Sequence, residues 1–316
     1  MLKPDNLFFI IGSPRSGTTW IGKIFDSHPG VIYRHEPDAV NLGKPIPFIC
    51  NDVDMYREKG AAYMQELALV RDARTNGKPP IFSKNFRNDF LSNYRTLCIY
   101  ALRYGGAVIP SFNRWAVPDF TGPSQPRIVI KSVSALGRAG LFMAARSDSR
   151  ILHILRHPCG HVGSVLRGER LNKMAPFPLD FVNADSASHY DLSIQKLEKM
   201  TFLEQAAWRW VIFNHKAMQD LEGNDQVMTL VYEDLCADPM AVTRRLFDFA
   251  GLSWHKQTEE FLHSSTHSGD GKAYHTVYQD PLAAANKWRS ELSRDQISAI
   301  AAIVRDTVPG RLFSYD

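Results

Sequence analysis

The chain is 316 residues long, 44% hydrophobic and 22% charged, the balance of a folded globular protein, which excludes extensive disorder. Its net charge of +4 is mild and dispersed. It suits a small polyanionic ligand and excludes a nucleic-acid-binding stripe. Four widely spaced cysteines, Cys50, Cys98, Cys159 and Cys236, form no CxxC pair, which excludes a zinc knuckle or a dense disulfide framework and points to a reducing compartment.

Leu7-Phe-Phe-Ile-Ile11 is a continuous apolar run, the pattern of a strand buried on both faces. It is far too short to span a membrane and lacks signal-peptide flanks, so no transmembrane segment is expected and the protein reads as cytoplasmic. A Gly/Ser-rich turn follows, then a helix from Thr18 to Asp26, stopped by Ser27-His-Pro-Gly30. Val31 to Tyr33 reads as a second strand running out at His35-Glu36-Pro37, and the Pro-rich stretch from Pro37 to Pro47 as a loop. Helices are expected over Asp54 to Arg74 and Phe86 to Tyr104.

Arg127 to Lys131 and Arg150 to Leu155 are further buried strands, each followed by helical sequence. Pro176 to Tyr190 has the composition of a loop or lid. Leu203, Ala206, Trp210, Phe213, Ala217 and Leu221 recur every three or four residues, predicting a long amphipathic helix. Val227 to Val231 is a strand, and Pro239 to Ala250 a helix stopped by Gly251. Strands alternating with helices predict an α/β fold with a mostly parallel central sheet of four or five strands, flanked by helices. The absence of repeats and of a linker predicts one domain over residues 1–316.

Gly12-Ser-Pro-Arg-Ser-Gly-Thr-Thr19 sits between a buried strand and a helix start, the context in which a glycine-rich loop cradles phosphate. Loop and helix-terminal N–H groups point at the anion, and the helix dipole favours negative charge there. Its GxxxxG spacing matches the nucleotide P-loop, but Thr18 stands where that loop has Lys, and the cation lies inside the loop at Arg15. A Walker loop uses its Lys with Mg²⁺ on the β- and γ-phosphates; Arg15 can serve one terminal group without a metal. Arg156 ends the fourth strand, with Ser164 eight residues on in the next helix. Both belong at the carboxyl ends of parallel strands, where open α/β sheets bind ligands. A guanidinium and a hydroxyl there suit phosphate oxygens. His153, His157 and His161 share no helical face and read as structural rather than metal-ligating.

Pro14-Arg-Ser-Gly-Thr-Thr-Trp20 resembles the 5′-phosphosulfate loop of the sulfotransferases that use 3′-phosphoadenosine-5′-phosphosulfate (PAPS), and Arg156 with Ser164 resembles their 3′-phosphate element. The resemblance implies PAPS as co-substrate, held by Pro14, Arg15, Ser16, Gly17, Thr18, Thr19, Arg156 and Ser164, with no metal. It extends over residues 7–36, 127–170 and 202–307. Tyr232 then either touches the adenine or is a packed strand-end residue. Lys287-Trp-Arg-Ser-Glu-Leu-Ser293 resembles the segment that closes over the donor, but Pro281-Leu-Ala283 stands where the cytosolic branch has an Arg-Lys-Gly loop.

That branch also has a base His two residues after a Lys at the end of the third strand. Lys131-Ser-Val133 puts Val there. Glu36 in Arg34-His-Glu-Pro37 is the replacement, resembling the Glu-Pro setting of carbohydrate- and lipid-directed sulfotransferases. It lies beside the loop if the first two strands are neighbours. His35, on the opposite side by strand alternation, ranks second, and Lys131 either neutralises developing charge or is structural. The expected activity is sulfuryl transfer, with Glu36 and Arg15 catalytic, to a hydroxyl, or less readily an amine, of a small-molecule, sugar or lipid acceptor. A P-loop kinase or NTPase and a non-catalytic nucleotide-binding module are the rival readings.

Overall fold

The computed structural model describes residues 7–39, 46–174, 177–267 and 280–315. Residues 40–45, within the Pro-rich loop, and Pro176, the start of the expected lid, lie outside them. The strands are β1 (Leu7–Gly12), β2 (Val31–His35), β3 (Arg127–Ser132), β4 (Arg150–Leu155) and β5 (Val227–Val231). They form one sheet in the order β2-β3-β1-β4-β5, and every pairing is parallel. The α/β fold expected from the sequence is the fold found, at the upper end of the expected strand count.

Alternation along β1 explains its unbroken apolar run. Leu7, Phe9 and Ile11 enter one core layer, while Phe8 and Ile10 enter the layer on the other face, as a period of two requires. The first layer is covered by α2 (Val53–Leu69), α5 (Ala139–Ala145) and α8 (Phe202–Asp220), the second by α1 (Thr18–Ser27), α10 (Pro239–Ala250) and α11 (Lys256–His267). Gly251 closes α10 in the left-handed region at φ 66°, where glycine carries no Cβ penalty.

Two expectations need correction. The helix foreseen over Asp54 to Arg74 ends at Leu69, and a short α3 (Ala73–Asn76) follows. Asp72 causes the break: its carboxylate accepts from the Thr75 amide at 2.7 Å and starts a new helix. Asn88 likewise caps α4 (Asp89–Val108) through the Leu91 amide at 2.9 Å, so that helix begins after Phe86. The stretch read as a loop or lid is packed against the body over its described part. Phe181 is buried in the first core layer, and Ser186 Oγ donates to the Ile212 carbonyl at 3.0 Å.

The strand order positions the site. From central β1 the chain runs out to edge strand β2, returns through β3, then crosses to β4 and β5 on the other side. The loop after β1 therefore emerges where connections diverge, the crevice at the carboxyl end of a doubly wound sheet.

Candidate active site

Gly12 ends β1, and the next residues fold back on themselves. Ser16 donates to the Ser13 carbonyl through its amide at 3.1 Å and its hydroxyl at 2.7 Å. Arg15 and Gly17 both take positive φ, 72° and 85°. A non-glycine residue there costs on the order of 1–3 kcal/mol and persists only where surrounding contacts hold it. Gly17 caps α1 without a side-chain acceptor, and the first turn of α1 holds no acidic residue. The positive end of the helix dipole is thus left to an external anion. A Cβ at Gly12 would lie 2.7 Å from Ser16 Oγ, and one at Gly17 would overlap the Tyr232 ring. Both positions therefore require glycine for close approach.

Arg156 leaves β4 and reaches across to this loop. Its Nη1 donates to the Arg15 carbonyl at 2.8 Å and its Nη2 to the Ala284 carbonyl at 2.9 Å. Its buried Nε has no partner among the described residues. Ser164, in α6 (Pro158–Arg170), accepts from Arg15 Nε at 3.0 Å and from Arg167 Nη2 at 3.3 Å. Residues separated by some 140 positions in the chain thus form one cluster, as the sequence motifs required. Arg167 was missed from sequence, although its spacing of three from Ser164 on the same helix puts both on one face. The glycine cradle and the unsatisfied guanidinium N–H fit a ligand with phosphate groups.

The condition that would set Glu36 directly beside the loop, adjacency of β1 and β2, is not met: β3 lies between them. Register sets His35 beside Lys131, and the Glu36 amide donates to the Lys131 carbonyl at 2.8 Å. Glu36, at φ 49°, turns its carboxylate onto the buried Lys131 ammonium. Burial pushes the Glu36 pKa up, but Lys131, Lys78 and Arg74 together hold it below its ordinary value. It is therefore ionised at neutral pH. Because β3 lies between β2 and β1, Lys131 sits beside His35 on one side and beside Ile10, near the end of the strand that feeds the loop, on the other. Asp38, next along, accepts from Ser132 and from Arg138.

His35 and Glu36 have different hydrogen-bond partners, although the Lys131 and Lys78 charges bear on both. Its Nδ1 lies 3.0 Å from the Tyr33 hydroxyl and its Nε2 3.2 Å from Lys78 Nζ. Burial first, then the Lys131 and Lys78 charges, holds its pKa far below the ordinary imidazole value. Lys78, pushed down to about 8 chiefly by burial, is a second residue the sequence did not single out. It lies in a Gly/Pro-rich stretch with no motif, and only the covering of β2 by this stretch brings it near.

The model for the sulfotransferase family matches residues 8–256, most of the chain and every site residue above. The chain belongs to the sulfotransferase family. Carbohydrate sulfotransferase 5 of Homo sapiens is 34% identical to it, over 93% of this chain and 74% of the relative. Carbohydrate sulfotransferase 5 of Mus musculus is 23% identical over 90% and 74%. Among solved structures, the sulfotransferase domain of the Synechococcus PCC 7002 olefin synthase aligns over 97% of each chain at 19% identity with a TM-score of 0.48.

These relatives overturn the cytoplasmic expectation, because carbohydrate sulfotransferases are Golgi-resident type II membrane enzymes. That expectation rested on missing features, a CxxC pair and an apolar span, and a globular catalytic domain need carry neither in any compartment. Among the described residues no helix is long and apolar enough to cross a membrane.

The remaining landmarks of this sulfotransferase are packed. Tyr232 is buried beneath Gly17, edge-on to Trp20 at 6.3 Å, with the Arg156 guanidinium 5.1 Å over its ring. Trp288 stacks on His157 at 4.6 Å and 10°. His157 caps α6 through the Cys159 amide at 3.2 Å, and its Nε2 lies 2.8 Å from the Ser314 carbonyl. His153 Nε2 meets Asn214 Oδ1 at 3.1 Å, and burial holds its pKa at about 4. His161 is buried too, its pKa near 3. Each imidazole thus has a place in the core.

Proposed function

We propose that this sulfotransferase moves the sulfuryl group of PAPS onto the hydroxyl of a sugar, with Glu36 as general base. The observation that carries the reading is the Glu36–Lys131 ion pair at the carboxyl ends of β2 and β3, next to β1, whose own carboxyl end runs into the loop that holds Arg15. The acceptor oxygen attacks sulfur, the bond from sulfur to the 5′-phosphate oxygen breaks, the acceptor proton passes to Glu36, and 3′,5′-diphosphoadenosine leaves. Arg15 and the amides at the start of α1 neutralise charge on the leaving phosphate, where preorganised donors contribute most. Lys131 is drawn toward the transferring group as charge shifts, which loosens its hold on Glu36 and raises the basicity of the carboxylate when the proton is taken. Pro14, Ser16, Gly17, Thr18 and Thr19 shape the 5′ side, and Arg156 with Ser164 the 3′ side. The sugar acceptor follows from the named substrates of the relatives, on a single domain spanning residues 1–316.

Incubation with labelled PAPS and a panel of glycans, read by mass spectrometry, tests the activity. Transfer should persist in EDTA, since Arg15 does the work a bound Mg²⁺ does in a Walker loop. Loss of transfer on chelation, restored by Mg²⁺, would reject the metal-free reading.

Arg156→Ala should weaken 3′,5′-diphosphoadenosine by about ten- to a hundredfold, the worth of a charge-assisted phosphate contact. Adenosine 5′-phosphate should lose less. Some loss is expected even there, because the substitution strips donors from the Arg15 and Ala284 carbonyls. Equal losses for both nucleotides in calorimetry would confine Arg156 to bracing the loop.

A further inference from the structure

α4 has two faces rich in apolar residues, and among the described residues only one is packed against the rest of the chain. Arg95, Ile99 and Gly106 are its buried residues, with Leu102 packed beside them. On the opposite face Phe90, Tyr94, Leu97, Ala101, Tyr104 and Val108 recur at spacings of four, three, four, three and four, the seam of a heptad repeat. All are exposed: Phe90 by 76%, Leu97 by 67%, Tyr104 by 75% and Val108 by 82%. Of these, Tyr94 has a ring neighbour in Phe120 at 6.2 Å and Tyr104 one in Tyr100 at 6.4 Å. Isolated exposed apolar residues need no explanation, but a continuous stripe this long does.

We propose that this face of α4 pairs antiparallel with α4 of a second copy of the chain. The spacing is palindromic about residue 99. A two-fold axis there sets Phe90 against Val108 of the partner, Tyr94 against Tyr104, and Leu97 against Ala101. In the first and last pairs a large side chain meets a smaller one, and in the middle pair ring meets ring. Such self-complementarity is what an isologous dimer interface needs. The flanks fit as well. Asn93 and Gly105 border the stripe and no charged residue lies within it, so bringing two copies together opposes no like charges. A basic border, which an anionic membrane would select, is missing.

The area is sufficient. A helix of 20 residues is about 30 Å long. Six side chains of this size, with the neighbouring exposed Tyr100, Ile109 and Trp115, offer roughly 800 Å² per copy, the size of a standard specific interface.

Light scattering on the full chain at micromolar concentration should give twice the 35.7 kDa of one chain. Leu97→Glu with Tyr104→Glu should give the monomer, with its melting temperature and transfer rate retained, because neither residue lies in the core or at the site. In a Cys98→Ser background, Phe90→Cys with Val108→Cys should form a disulfide-linked dimer on oxidation, whereas Phe90→Cys alone should not. This second measurement stands even if the charged variant fails to fold. A monomeric wild-type chain, a charged variant that remains dimeric, or cross-linking by Phe90→Cys alone would each overturn the proposal. So would a monomer that pellets with neutral phospholipid vesicles.

Discussion

Glu36→Gln should lower single-turnover transfer by about a hundred- to ten-thousandfold, the usual worth of general-base assistance, while leaving the affinity for PAPS nearly unchanged. Gln keeps the size and reach of Glu but takes no proton, so the variant tests basicity rather than shape. Donor binding should hold because the loop amides, Arg15 and Arg156 carry it, and a carboxylate has the wrong sign to contribute. The pH profile adds an independent check. Lys131, Lys78 and Arg74 hold the Glu36 carboxyl below its ordinary value of 4.5. A base must be ionised, so kcat/KM should be flat from neutral pH downward and fall only below that value. Lys131→Met removes the largest of these charges and leaves burial to dominate. Its acid limb should therefore move to higher pH, on top of a lower rate. Retention of more than about a tenth of wild-type transfer by Glu36→Gln would sink the assignment.

Gly17→Ala should destabilise the fold by roughly 2–5 kcal/mol and weaken donor binding with it. Holding Ala at a left-handed φ costs about 1–2 kcal/mol. The added methyl overlaps the Tyr232 ring, and overpacking of this kind costs about 1–3 kcal/mol more. The ring cannot retreat freely, because Trp20 and the Arg156 guanidinium pack on it. Moving it displaces the arginine that braces the Arg15 carbonyl. The entropy that Ala removes from the unfolded chain is worth only about 0.4–1 kcal/mol in the opposite direction. Gly122→Ala is the matched control, since Gly122 also has positive φ but a Cβ there meets nothing within 4 Å. Denaturant titration should show a clearly larger loss at Gly17. Equal losses at the two positions would mean that backbone strain alone, and not contact with Tyr232, constrains the loop.

Much of this protein is written locally. Five parallel strands were visible because each is a short run rich in apolar residues, bounded by glycine, proline or charge, and burial of its core-facing positions permits little else. The β1–α1 loop was visible as a candidate phosphate site because its glycines, its internal Arg and its helix start lie within one short stretch, where backbone geometry favours an anion. Capping by Asp72 and Asn88, by contrast, broke one expected helix and moved the start of the other.

The fold itself decided the rest. Glu36 was legible as a candidate from its Glu-Pro setting, but strand order, which no local pattern encodes, places β3 and not β1 beside it. That order interposes Lys131, making Glu36 an ion-paired carboxylate rather than a free one. Lys78 joins the site only through the covering of β2, whereas Arg167 was within reach of the sequence, three residues beyond Ser164 on one helix. The compartment was misread because it was inferred from absent features, and a globular domain's packing leaves no record of where the domain resides. Local sequence therefore determined the anion-binding loop and the class of chemistry. Which charges surround the proposed base follows from parallel strands being joined by crossovers, so that neighbours in the sheet are not neighbours in the chain.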